Sequence, residues 1–171
     1  MTVTEYLSSI LTPALAWCQT VPGWSIPDDE RATLMLLVIP KMESDYLNIA
    51  QIGGGPGRGF YQFGMPTIGL ILTNPVSSAM AAMACRTLYV VPTSYAAYTH
   101  LLLHPYLQVA MARLDLRCDS HALPTFGDEE AAWECYVRVW RPGTVINGGQ
   151  RAAKERARWT PAYAEALAAM A

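Results

Sequence analysis

The sequence has no acidic residue between Leu47 and Arg113, although the 171-residue chain carries 14 aspartates and glutamates in total. A reaction that uses two opposed carboxylates therefore cannot take its second carboxylate from this stretch. Charge is scarce overall, since only 15% of the residues are charged, and this argues against disorder. The net charge of −2 gives no global attraction to nucleic acid, so no nucleic-acid partner is predicted.

Cysteine is also rare, and its four positions form no C-x-x-C pair. Cys18, Cys85, Cys118 and Cys135 lie far apart along the chain, mostly in apolar segments. Widely spaced cysteines of this kind favour buried thiols over disulfides or zinc ligands.

Sequence motifs for cofactors and metals are missing. There is no G-x-G-x-x-G, no Gly-Lys-Ser/Thr and no nucleophile elbow around Ser44, which is expected to hydrogen-bond locally beside Glu43. His100 and His104 stand four residues apart and His121 ends a C-x-x-H spacing, but neither has a third ligand at a recognisable spacing. We predict no cofactor and no metal.

The features of exported and membrane-spanning chains are absent as well. The N-terminal segment 1–7 has no basic region, and Pro13 interrupts its apolar stretch. No apolar run reaches the roughly 18–20 residues that span a bilayer. The chain is expected to be made in a cytoplasm without its own signal peptide and to make no stable membrane insertion.

Apolar residues, by contrast, are abundant at 52% of the chain, and they suit one mainly α-helical domain over residues 1–171. Six basic residues against one acid, Glu155, lie between Arg138 and Arg158. This basic segment is typical of a solvated helix face, and contact with an anionic polymer or lipid is an open alternative.

Caps, prolines and apolar periodicity predict the helix boundaries. The predicted helices are Thr4–Trp17, Asp28–Tyr46 and Asp128–Trp140, with further starts at Asn74-Pro75, Thr93-Ser94 and His104-Pro105 and a terminal helix capped by Thr160-Pro161. Ser25 to Asp28 resembles a capping box for the second of these helices. A kink is expected at Pro40 because proline removes a backbone donor.

Glu43 is the main candidate for chemistry. It follows the apolar run from Leu34 to Met42, and helical spacing places it on the same face as core residues. A carboxyl attached to an apolar helix loses hydration, so we expect its pKa to rise and the group to stay an acid near neutral pH.

A glycine-rich segment, residues 47–64, follows this helix. Four glycines alternate between Gly53 and Gly59, so one face of any strand there carries no side chain and another group can approach closely. Phe60 to Phe63 is predicted to be a strand with one polar residue, Gln62, among aromatics. Aromatic rings stack on sugars and an amide can bind a hydroxyl, so a β-hairpin beside the helix could form a sugar-cleaving cleft.

Most glycosidases use a second carboxylate on the opposite side of the scissile bond, and its source in this sequence stays open. Asp45 lies two positions after Glu43 and would point elsewhere on a helix. Glu43 therefore acts alone, or with a partner from Asp115, Asp119 or the helix that begins near Asp128.

Glu43-Ser44 followed by Gly59-Phe-Tyr-Gln-Phe63 resembles the Glu-Ser and Gly-Leu-Met-Gln motifs of the lytic transglycosylase and goose-type branch of the lysozyme-like superfamily. With Gly55-Pro-Gly-Arg and Trp140-Arg-Pro-Gly143, the pattern is more similar to small tailed-phage proteins of that superfamily. The resemblance covers residues 30 to 163. It implies an α+β lysozyme-like fold. The chain length suits one domain, with residues 150–171 as a C-terminal helical extension packed on it.

The resemblance also implies cleavage of the β-1,4 bond between N-acetylmuramic acid and N-acetylglucosamine in peptidoglycan. Glu43 matches the catalytic acid, and Gln62 matches the glutamine beside the cleft. Trp140 stands where the family's tyrosine contacts the glutamate, and Arg141 stands where its asparagine lies. The candidate substrate-binding residues are Ser44, Gly59, Tyr61, Gln62, Tyr136, Trp140 and Arg141.

Three functions follow from this resemblance. The first is a lytic transglycosylase with a single catalytic glutamate, the second is a hydrolytic muramidase, and the third is a non-catalytic virion module that binds glycan or a phage protein. The expected partners are peptidoglycan glycan strands and other phage virion proteins. The protein would be made in the host bacterial cytoplasm, travel in the virion and act in the periplasm.

Overall fold

The structure is a computed structural model that describes residues 1–47, 49–140 and 148–171. The described residues are mainly helical, which confirms the mainly-α class, and no strand is formed among them. The helices are α1 (Val3–Tyr6), a π-helix (Leu7–Leu11), α2 (Thr12–Cys18), α3 (Glu30–Ser44), α4 (Met65–Thr73), α5 (Ser78–Thr87), α6 (Ser94–His100), α7 (Pro105–Cys118), α8 (Glu129–Trp140) and α9 (Gly149–Ala169).

Helix α3 runs through the core, as its apolar sequence predicts. Every residue from Leu34 to Pro40 is buried, and α3 contacts α1, the π-helix, α7, α8 and α9. Its start differs from the prediction, because the Asp29 side chain caps the helix by accepting the backbone N–H of Arg31 at 2.9 Å. Asp29 directly precedes Glu30, the first residue of the helix, so its carboxylate can accept a free backbone donor of the first turn.

Pro40 lies inside α3 without ending it. Proline cannot donate a hydrogen bond to the carbonyl four residues earlier, which here belongs to Leu36. The Tyr61 hydroxyl donates to that carbonyl at 3.0 Å, and the Tyr46 hydroxyl donates to the carbonyl of Leu37 at 2.6 Å. Two buried tyrosines thus supply hydrogen bonds at the place where proline interrupts the helix.

The glycine-rich segment forms turns and not the predicted strand over Phe60–Phe63. Its pairing is limited to two isolated antiparallel bridges, Ala50 with Arg58 and Arg58 with Phe63, and Phe60 to Gln62 lie in a turn. Gln62 has a positive φ of 51°, which a regular strand does not accommodate. The aromatic side chains of this turn enter the core.

The first and last helical segments also differ from the prediction. The predicted helix Thr4–Trp17 contains the π-helix, and it begins with a capping box at Thr2. The predicted break at Thr160-Pro161 is wrong, because α9 continues through Pro161. The Thr160 hydroxyl contacts Glu129 at 2.7 Å and Arg156 at 3.1 Å, so its side chain serves the contact with α8 and caps no helix.

The four cysteines are free, and three of them are buried. In the described ranges no single helix has the length and apolar character needed to cross a membrane. Helices α4 and α5 reach that length and composition only as a pair, and the pair is bent by 112°.

Replacing Tyr61 by Phe should lower the free energy of unfolding by about 1–3 kcal/mol, because a buried acceptor loses its donor. The Tyr61 hydroxyl also accepts from Tyr6 at 3.2 Å, so a second hydrogen bond is lost. Urea titration followed by circular dichroism measures the change.

The matched control repeats Tyr61→Phe in a Pro40→Ala background. Alanine restores the N–H that serves the carbonyl of Leu36, so the same substitution should cost about 1 kcal/mol less there. An equal cost in both backgrounds would show that Tyr61 does not compensate for Pro40.

Candidate active site around Glu43

Glu43 lies in the last turn of α3 and is half-buried. Helix α3 ends directly after it, because Asp45 and Tyr46 both have a positive φ, of 51° and 55°. The local sequence therefore holds the carboxylate at the end of a rigid core helix, at the edge of the protein.

Tyr136 from α8 binds Glu43 directly. Its hydroxyl donates to Oε1 of Glu43 at 2.7 Å, and the tyrosine is 1% exposed. The ring of Tyr136 stacks on Trp159 from α9, with the centroids 5.1 Å apart, and contacts Trp133 at 5.6 Å. This aromatic packing fixes the hydroxyl that holds the Glu43 carboxylate.

Helix α9 brings a second carboxylate near Glu43. Glu155 is nearly buried, at 9% exposed, and pairs with Arg158 at 3.0 Å. Arg158 also donates to the carbonyl of Met42 at 3.1 Å, which joins α9 to the last turn of α3. Lys41 and Glu165 form a further ion pair between the two helices at 3.3 Å.

These surroundings raise the pKa of Glu43 to about 7. Loss of hydration is the largest cause, and the negative charge of Glu155 adds to it. The hydrogen bond from Tyr136 and the positive charge of Arg158 act in the opposite direction. With a pKa raised to this range, Glu43 can hold a proton near neutral pH, as a general acid requires.

The position expected for Trp140 is wrong. Its indole N–H donates to the carbonyl of Tyr61 at 3.1 Å, and its ring packs on Phe63 at 5.6 Å. Tyr136, one helical turn earlier, makes the contact with Glu43 that the resemblance assigned to Trp140. The i, i+4 spacing of these two aromatics was the available signal in the sequence, since it places both on one face of α8.

Two other candidates for substrate contact are buried in the protein. The Ser44 hydroxyl donates to the carbonyl of Pro40 at 3.0 Å and not to Glu43. Tyr61 is 0% exposed and uses its hydroxyl on the carbonyl of Leu36. Both side chains stabilise α3, and neither reaches a substrate in this arrangement.

The glycines of the turn admit protein side chains. A Cβ at Gly59 would lie 2.7 Å from the side chain of Gln108, whose Oε1 accepts the backbone N–H of Phe60. A Cβ at Gly57 would lie 2.4 Å from Oε1 of Gln62. Gln62 also donates to the carbonyl of Gly59 at 2.9 Å and is partly exposed. The close approach predicted from the glycine pattern is therefore made by these two glutamines.

The other carboxylates considered from the sequence have different surroundings. Burial acts to raise the pKa of Asp119, but hydrogen bonds from Arg138 and His121 lower it to about 2. Asp128 caps α8 by accepting the N–H of Ala131 at 3.1 Å. Sequence reasoning missed Glu155, which it treated only as the one acid in a basic segment.

Arg141 lies outside the described residues. His100 and His104 stack with their centroids 5.4 Å apart. Across ranges 1–47, 49–140 and 148–171, no group of three or more histidine, cysteine, aspartate or glutamate residues could hold a metal ion.

No protein-family model matches the chain, and neither a curated protein nor a solved structure is significantly similar to it.

Two substitutions should move the pKa of Glu43 in opposite directions. Glu155→Gln removes a repelling negative charge, so the pKa should fall below about 7; Tyr136→Phe removes a hydrogen bond to the charged form, so it should rise. A carbon-13 NMR titration of the Glu43 carboxyl measures both.

The matched control is Glu165→Gln, which removes a carboxylate of α9 that pairs with Lys41 and should leave the Glu43 titration unchanged. Shifts of the same sign in the Glu155 and Tyr136 variants would contradict the assigned electrostatic roles.

Proposed function

We propose that the protein is a lysozyme-like enzyme that cleaves the β-1,4 bond between N-acetylmuramic acid and N-acetylglucosamine, with Glu43 as the catalytic acid. The observation that carries the proposal is the half-buried Glu43 carboxyl, whose pKa is raised to about 7 and whose position Tyr136 fixes. The order of Glu43-Ser44, the glycine-rich turn and Gln62 supports it, because it matches the order of motifs in that superfamily.

In the proposed reaction, Glu43 gives its proton to the glycosidic oxygen as the bond from the muramyl C1 to that oxygen breaks. The leaving N-acetylglucosamine then carries a free hydroxyl. The ionised Glu43 takes the proton of the muramyl 6-hydroxyl, whose oxygen bonds to C1. The product has a 1,6-anhydro ring, and Glu43 recovers its proton, so no water is consumed.

The environment of Glu155 supports this single-acid route. Inverting glycosidases separate their two carboxyl groups by roughly 6.5–9.5 Å, with a water between them, and retaining ones by about 5–5.5 Å. Glu155 is nearly buried and engaged by Arg158, so it is poorly placed to activate a water or to attack a sugar. Its role in the proposal is to set the acidity of Glu43.

The proposal includes a biological setting. The similarity to small tailed-phage proteins suggests that the chain is made in the host cytoplasm, is carried in the virion with other phage proteins and meets glycan strands in the periplasm.

Glu43→Gln should lower the cleavage of purified sacculi by about 100- to 10,000-fold, because it removes the proton and keeps the shape. Turbidity loss measures the rate. Glu134→Gln, an exposed charge removal on α8, is the matched control and should cleave like wild type. Activity of Glu43→Gln within a few-fold of wild type would exclude Glu43 as the acid. Wild type without activity would favour the non-catalytic module.

The released muropeptides should end in 1,6-anhydro-N-acetylmuramic acid. Mass spectrometry detects this end because it is lighter than a reducing end by one water. Exclusively reducing ends would identify a hydrolytic muramidase and would require a residue that activates water.

A further inference from the structure

A second feature lies beyond the surroundings of Glu43, where α4, the end of α7 and α8 border a cavity of about 750 Å³. A smaller recess of about 130 Å³ shares Thr67, Asp115, Val139 and Trp140 with this cavity and is lined by Gln62 as well. The cavity therefore adjoins the glutamine that the proposed function places beside the cleft.

Asp115 lines both spaces, and its carboxyl makes no hydrogen bond or ion pair with the described part of the chain. Burial raises the pKa of Asp115 to about 7. A partly buried carboxyl without a partner costs free energy, and most such groups in native proteins are satisfied. With respect to the described residues, Asp115 thus keeps hydrogen-bonding capacity that a ligand in the cavity could use.

The charged neighbours of Asp115 are already paired with each other. Arg138 donates from Nε and Nη2 to Oδ2 of Asp119 at 2.8 and 2.7 Å, and His121 contacts Oδ1 of Asp119 at 2.9 Å. Among the described residues that line the cavity, Arg138 is the only one with a positive charge, and its ion pair with Asp119 neutralises that charge. Within this described part of the lining, an anionic ligand would meet no unpaired positive charge, so this lining suits a neutral ligand better.

Trp140 adds an apolar surface to the cavity. The indole N–H of Trp140 already donates to the carbonyl of Tyr61, so a ligand in the cavity would contact the partly exposed ring. Thr67, Asn74 and Ser120 place hydroxyl and amide groups around the same space. A neutral molecule that combines hydroxyls with an apolar ring face, such as a sugar, matches this lining.

We infer that this cavity binds a saccharide unit, with Asp115 hydrogen-bonding to sugar hydroxyls and Trp140 packing against the sugar ring. The inference takes its ligand class from the proposed function and adds a site that holds the glycan strand away from the scissile bond.

The test uses a tetramer of N-acetylglucosamine as the probe and a Glu43→Gln chain as the parent, so that binding is measured without cleavage. Nitrogen-15 NMR should show a shift of the Trp140 indole signal, which a Trp140→Phe variant assigns by its disappearance. Adding Asp115→Asn should weaken binding about tenfold, the size expected for a lost hydrogen bond to a carboxylate.

The pH dependence separates a direct role of Asp115 from a structural one. An ionised carboxylate accepts stronger hydrogen bonds than a protonated one, so the parent should bind more tightly as pH rises through about 7. Asp115→Asn should make the affinity independent of pH in this range. Glu30→Gln, which removes an exposed charge from the first turn of α3, should retain the parent's affinity and pH dependence.

An unmoved Trp140 signal, or unchanged affinity in Asp115→Asn, would overturn the inference even if wild type cleaves sacculi. Tetramer binding at Trp140 and Asp115 in a chain that does not cleave would retain the inference and reject the enzymatic proposal. The two failures are therefore distinguishable.

Discussion

The second half of α3 lies in the protein core, so each of its polar groups needs a partner within the protein. Pro40 removes the donor that would serve the carbonyl of Leu36, and the Tyr61 hydroxyl donates to that carbonyl instead. The Tyr46 hydroxyl donates to the next carbonyl, that of Leu37. At the end of the helix, Arg158 donates to a backbone carbonyl and Tyr136 donates to the Glu43 carboxylate. The glycine-rich turn, α8 and α9 thus all contact the stretch of α3 from Leu36 to Glu43, because each supplies a hydrogen-bond donor to it.

This requirement also explains why much of the glycine-rich segment is structural. The turn carries Tyr61 into the core, and Trp140 packs against it and Phe63 from α8. Gln108 reaches the turn backbone only because Gly59 has no side chain. Gln62 from that turn remains partly exposed and lines the recess of about 130 Å³.

Local features of the sequence were sufficient to predict the core helix and the raised pKa of Glu43. A continuous apolar run is stable only in the protein core, and a carboxylate at its end lies partly in the same apolar surroundings. The strand at Phe60–Phe63 was predicted wrongly because alternating polarity does not reveal a positive φ at Gln62. The contacts of Tyr136 and Glu155 with the site depend on how α8 and α9 pack, and no local pattern encodes that packing. For the same reason, the cavity at Asp115 could not be predicted.

The two unusual carboxyls make the stability of the fold dependent on protons. Glu43 and Asp115 have ordinary pKa values of 4.5 and 3.8, and both rise to about 7 in the folded chain. At pH values between the ordinary and the raised pKa, the folded chain binds more protons than the unfolded chain. The free energy of unfolding therefore falls as pH rises through this range, and the loss is complete above about pH 7. Asp119 has the opposite effect, because its pKa falls from 3.8 to about 2 in the folded chain. It stabilises the fold at pH values above 3.8, and this stabilisation is lost as pH falls towards 2. Unfolding at pH 6 should therefore release protons from Glu43 and Asp115, and the folded chain retains these acids at a cost in its own stability.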